Sequence, residues 1–278
     1  MRALAEFIMR GRVRAVLITM VGIPLISPAA LALVSLRRGG SDGLMVLAWA
    51  LLPVITASMS GHMSPLMTGL AISHLGAVFC GALVLRSSRS WSAALVVLTA
   101  AAAAGILGTA HFSGGMLQSL LQAAEESGGG QVAQLQQIFG SEPLATGYLC
   151  WVSAITATLA LVLGRYWQAM LYNPGGFRRE FHLLRMPLPL AAAGMLVWVY
   201  CLLTQDYVFW GAVVAFPIMV AGIALMHWLV ADKGWGRGPL VALYVMLVIA
   251  ALPLAGFLCG LALIDSWIDI RGRFSKNR

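Results

Sequence analysis

Apolar residues run through this chain in long blocks separated by short basic or glycine-rich breaks, with no strict alternation of the kind that marks strands. The blocks 64–85, 91–112, 144–164, 187–203 and 208–230 each approach the ~20 residues that carry a helix across a bilayer. A further block, 43–56, is shorter and needs its flanks or local thinning of the bilayer to cross. Two more apolar stretches are interrupted by proline: 15–36 carries Pro24 and Pro28, and 239–265 carries Pro253. The pattern predicts an all-α fold, a polytopic transmembrane helical bundle forming one domain over residues 1–278. It should have about six main spans plus proline-broken short hairpins near both ends, or about eight segments by hydropathy alone.

Charge decides how the interrupted stretches run. If both turn back to the side they came from, the basic positions all fall on one side, from Arg2 through Arg37, Arg38, Arg86 and Arg89 to the 165–185 run and the tail. The other side then receives Glu125, Glu126, Glu142 and Asp206 without a single Lys or Arg. The positive-inside rule puts that basic side, and with it the N- and C-termini, in the cytoplasm. Broken helices at membrane depth survive only where protein or a wet cavity satisfies the freed backbone groups, so both hairpins are expected to be buried in the bundle. Transporters place binding sites at such breaks. Prolines that merely kink ordinary helices are the alternative.

Four segments lie outside the spans. Residues 1–14 read as a retained amphipathic cytoplasmic start, because no small-x-small cleavage site follows. Residues 113–142 form an external segment of two amphipathic helices joined by Gly128, Gly129 and Gly130, either a lid over an external opening or an interfacial connector. Residues 165–186 are a basic cytoplasmic loop and 266–278 a cytoplasmic tail. Within 91–112, Thr99, Gly105 and Gly108 flank a run of alanines; so thin a helix packs closely, centrally or against a partner subunit.

Composition agrees: 60% of residues are hydrophobic and 10% charged, where a soluble globule would carry roughly a quarter charged. The net charge of +8 raises the question of nucleic acid, but the basic residues are scattered between apolar blocks and no nucleic-acid partner is expected. The expected partners are the lipid bilayer, with anionic lipid at the cytoplasmic face, and a membrane-protein partner or energising module. The expected location is the bacterial inner (cytoplasmic) membrane, crossed in multiple passes. Cys80, Cys150, Cys201 and Cys259 lie inside apolar blocks without C-x-x-C spacing and read as small core residues. There is no G-x-x-x-x-G-K-[ST], H-E-x-x-H or G-x-S-x-G, so neither an enzyme nor a cofactor is expected, and the chain has no ATPase of this kind.

Candidate chemistry gathers at three places. At the end of the last apolar block, Asp265 and Asp269 share a helix face, Trp267 reads as an interface anchor and Arg271 marks the water side. A boundary carboxylate without a partner is costly, which predicts a structural or docking latch in which Asp269 bridges to Arg178 or Arg179. The alternative makes Asp265 a proton or cation site. In the basic loop, Asn173, Pro174, Gly175 and Gly176 predict a defined turn, after which Arg178, Arg179, Glu180, His182 and Arg185 sit beside Phe177, Phe181 and Leu184. Finally, Met59, His62, Met63 and Met67 cluster soft ligands suited to Cu(I), although Met is also a common core filler. His74, His111 and His227 read as hydrogen-bonded interior residues.

The ending GLALIDSWIDIRGRF, the turn YNPGGFRREFHLLRMP and the early proline-broken run before LRRGGSDGL resemble the YybS-like family of bacterial membrane proteins of unknown function. That family is similar in layout to the substrate-binding S components of energy-coupling-factor transporters. The resemblance implies a bundle of about six helices that binds a small solute from outside and relies on a separate energising module. Two functions follow as expectations. One is a solute-binding or transport-related protein, its ligand entering under 113–142 and held between the broken hairpins. The other is a non-transporting subunit or assembly/scaffold factor of a cell-envelope membrane complex.

Overall fold

A computed structural model describes the chain apart from Ser127, Gln131, Asn277, Arg278 and the side chains of Ser275 and Lys276. In chain order the helices are α1 (Arg2–Met9), α2 (Arg12–Met20), α3 (Ile26–Arg38), α4 (Gly40–Met59), α5 (Pro65–Ser88), α6 (Trp91–Phe112), α7 (Met116–Glu126) and α8 (Val132–Ile138). They continue with α9 (Glu142–Tyr172), α10 (Gly176–His182), α11 (Leu188–Leu202), α12 (Val208–Asp232), α13 (Gly238–Ile249), α14 (Ala251–Ile268) and α15 (Ile270–Lys276). No strand occurs among the described residues, so the fold is an all-α helical bundle.

Among the described residues, six helices are long and apolar enough to cross a membrane: α4, α5, α6, α9, α14, and α12 with the 3-10 turn before it. The membership differs from the sequence expectation. The block 43–56 fills out to the 20 residues of α4, because Gly40, Ser41 and Asp42 join its first turn. The block 187–203 yields only the 15 residues of α11, closed by the polar Thr204, Gln205 and Asp206. The stretch 239–265 divides into the 12-residue α13 and the 18-residue α14.

Both proline-broken stretches are hairpins, and one cause serves both. Pro28 is the third residue of α3 and Pro253 the third of α14. There a missing N–H costs nothing; what ends the preceding helix is a proline ring that would strike the carbonyl four positions earlier, Pro24 against Met20 at the end of α2 and Pro253 against Ile249 at the end of α13. Pro53 and Pro217, by contrast, sit inside continuous helices. In the first hairpin Arg12, at the start of α2, and Arg38, at the end of α3, both reach Asp42, at 2.9 and 3.8 Å. The two arms are therefore antiparallel and return to one end of the bundle.

Only part of each hairpin is buried, against expectation. Residues 27–36 of α3 are buried, and Gly164 of α9 lies so close that a Cβ there would be 2.8 Å from the Ala29 carbonyl. The tip, residues 21–25, is exposed, with Leu25 at a positive φ of 64°. In the second hairpin α14 packs on α12, where Gly222 meets the Leu258 carbonyl, whereas α13 buries only Leu243. Being apolar all round with its backbone bonds internal, α13 has no need of a protein neighbour in a bilayer.

Among the described residues, the basic side chains collect at one end of the bundle. Arg86 donates to the Leu36 and Arg37 carbonyls at 2.7 and 2.8 Å, Gln168 donates to Leu36 at 3.2 Å, and Arg37 stacks on Tyr172. At the other end Glu142 accepts from the Leu117 N–H at 2.8 Å, and Ser141 donates to Asp206 at 2.7 Å. α5 and α6 make the most extensive helix pair, through Gly69 against Thr109, Gly105 against Ser73 and Gly81 against Leu98, as the small residues of 91–112 predict.

Candidate functional site

At the basic end, ion pairs tie the last helices to each other and to the loop before α11. Asn173 opens the expected turn, with the Gly176 N–H donating to its carbonyl at 2.9 Å and Gly175 at φ 80°. α10 then lies under the bundle, its Phe177 and Phe181 stacked on each other and reaching Trp91 and His227 respectively. Arg165 holds it by a bidentate pair with Glu180.

Asp265 is 1% exposed and faces Arg271 at 3.3 Å, while its other oxygen accepts from the Ile270 N–H at 3.1 Å. Arg271 is itself buried and donates to the His182 carbonyl. Burial lowers its pKa most; Asp265 pushes it back up, Arg185 lowers it and Asp269 raises it. Asp269 ends α14 at φ 52° and pairs with Arg185 at 3.2 Å. Arg185 also donates to the Ser266 carbonyl at 2.9 Å, and the Ser266 hydroxyl donates to Met186 at 2.8 Å. The carboxylates at the end of α14 are therefore paired, Asp265 with Arg271 and Asp269 with Arg185. The predicted Asp269 pairs with Arg178 or Arg179 are absent among the described residues: both arginines are exposed on α10, and Arg178 lines the larger cleft flanking α9. Trp267 is 76% exposed.

Two clefts flank α9. The smaller, about 660 Å³, surrounds the tip of the first hairpin, with Thr19, Pro24 and Ser27 on one side and Pro53, His74 and Thr156 on the other. His74 Nδ1 and the Thr156 hydroxyl are 3.4 Å apart. The larger, about 880 Å³, is bounded by α9, α12, α13 and α14, with Arg178 and His182 at the basic end. Leu159 of α9 touches both. Each of these two clefts is thus lined by one hairpin. The described residues of 113–142 line neither cleft, and α7 packs on α5, α6 and α9.

Of the thioether cluster, Met63 lines the smaller cleft, while Met59 and Met67 are exposed and His62 faces the Ser60 hydroxyl at 2.9 Å. His227 pairs with the Tyr244 hydroxyl at 2.8 Å, whereas His111 is exposed and meets Phe112 edge to face. The His227–Tyr244 pair was readable: the two residues stand at similar distances on either side of the 233–237 break, so a hairpin brings them level. No protein-family model, no curated protein and no solved structure matches this chain.

Proposed function

We propose that this integral membrane protein is a solute-binding, transport-related component of the bacterial cytoplasmic membrane, with its basic end in the cytoplasm and no ATPase of its own. One observation carries the reading: the exposed hairpin tip, whose residues 22–25 line the smaller cleft. α2 rises about 13 Å from the basic end, so the tip stands near the middle of a hydrocarbon layer about 30 Å thick. Non-helical backbone at that depth needs water or a ligand to satisfy it, and the His74–Thr156 pair adds side-chain polarity beside it. The resemblance to the YybS-like family, and through it to S components, supports the same reading, with energy supplied by a separate module.

Mild-detergent purification followed by mass spectrometry of copurifying small molecules and proteins tests it. The expected result is a solute at stoichiometric level that His74→Leu loses. A reproducible protein partner with no solute would overturn the proposal in favour of an assembly or scaffold factor.

A further inference from the structure

The larger cleft lies across α9 from the hairpin tip and has no part in solute binding as proposed above. Its wall along α12 runs from Val208 to His227, about 28 Å of helix axis. Spread over that length, about 880 Å³ is a slot averaging roughly 6 Å across, the shape of a chain and not of a compact solute. The end away from the basic face is lined by Trp151, Val208 and Phe209; apart from the Thr158 hydroxyl partway along α9 and the indoles of Trp151 and Trp198, the polar side chains lie towards the basic end.

There the cations divide into two kinds. Arg165 is paired with Glu180, Arg185 with Asp269 and Arg271 with Asp265. His227 and Tyr244 satisfy each other. Arg178, which lines the mouth of the slot, has no ion pair among the described residues. The outer lip is α13, whose Val241, Val245 and Val248 are exposed, so in a bilayer the slot borders the acyl chains of the leaflet on the basic side.

We infer that this slot holds an anionic phospholipid, its hydrocarbon lying along α12 towards Phe209 and its phosphate head meeting Arg178. Charge complementarity selects the head, and the narrow apolar slot selects the chain. A free phosphate would find the cation without the slot, and a neutral lipid the slot without the cation.

The test uses the full chain, delipidated in detergent and offered phosphatidylglycerol and phosphatidylcholine of matched chains in equal amount, with retained lipid counted by native mass spectrometry. Phosphatidylglycerol should be retained in excess. Arg178→Ala should lower that excess about fivefold, the effect of roughly 1 kcal/mol that one basic residue exerts on an anionic headgroup. Arg179→Ala, the adjacent arginine outside the slot, should leave it unchanged. Ala212→Phe, or Ala255→Phe if the first does not elute as a single species, should remove both lipids by filling the slot. Equal retention of the two lipids by the unmodified protein would overturn the inference, and so would equal losses from Arg178→Ala and Arg179→Ala. His74→Leu should not alter lipid retention, which keeps this result separate from that for the solute.

Discussion

Asp265 and Asp269 stand one helical turn apart, yet the first is 1% exposed and the second keeps 53% of its side chain in solvent. Their mutational costs should differ accordingly. Asp265→Asn leaves the Arg271 guanidinium buried without its counter-charge, an expected loss of about 3–5 kcal/mol, visible as a large drop in the detergent unfolding temperature. Replacing both partners, Asp265→Leu with Arg271→Met, should recover most of it. Asp269→Asn should cost less than about 1 kcal/mol, since its pair with Arg185 is solvent-screened and Asn tolerates the left-handed backbone. His182, beside these pairs, has its pKa lowered by burial first and then by Arg178, His227 and Arg271. The folded state therefore resists a proton that the unfolded chain accepts near pH 6.5. Stability should be intact above that pH and fall as pH drops below it, and His182→Gln should flatten the fall in a pH series of unfolding temperatures. The spacing of the two aspartates was legible in the sequence. The choice of Arg185 over Arg178 and Arg179 was not, because it depends on how α10 rolls against the helices above it.

At the level of helices, tight crossings rest on particular glycines. Gly222 faces the Leu258 carbonyl with no room for a Cβ, and backbone cannot move aside as a side-chain tip would. Gly222→Ala should separate α12 from α14 and cost about 1–3 kcal/mol or more, whereas Gly108→Ala, which meets open space, should stabilise by up to about 1 kcal/mol. Thermal unfolding of the two variants beside the parent distinguishes these outcomes. Hydropathy located nearly every helix but not its length. The polar first turn of α4 is helical because Asp42 is held by Arg12 and Arg38, and α11 stops early where Thr204 begins a polar corner. The two hairpin breaks were legible as prolines. What separated Pro28 and Pro253 from the tolerated Pro53 and Pro217 was where each fell within its own helix, which becomes clear only when the helix ends are known.

Across the whole molecule, segregation of the basic groups to one end is the property most fully written in the sequence, because charged residues cannot rest between apolar blocks without marking the block ends. Under the proposed orientation, a single cysteine at Gly129 in a cysteine-free background should react with a membrane-impermeant thiol reagent on intact cells, and one at Gly236 should not. What patterning could not reveal is that α3, among the first helices made, is the most enclosed. Gln168 of α9 donates to the Leu36 carbonyl across 132 positions of sequence, and Gly164 admits the Ala29 backbone. At the usual 5–20 residues per second of synthesis, the partner that completes this enclosure is translated about 7–26 seconds after α3. During that interval α3 has α4 and α5 to pack on but lacks the α9 backbone that closes over it, so one of the earliest parts of the chain reaches its final place well after it is made. A chain truncated at residue 139 should accordingly leave a cysteine at Ala30 open to a thiol reagent that the full-length protein excludes.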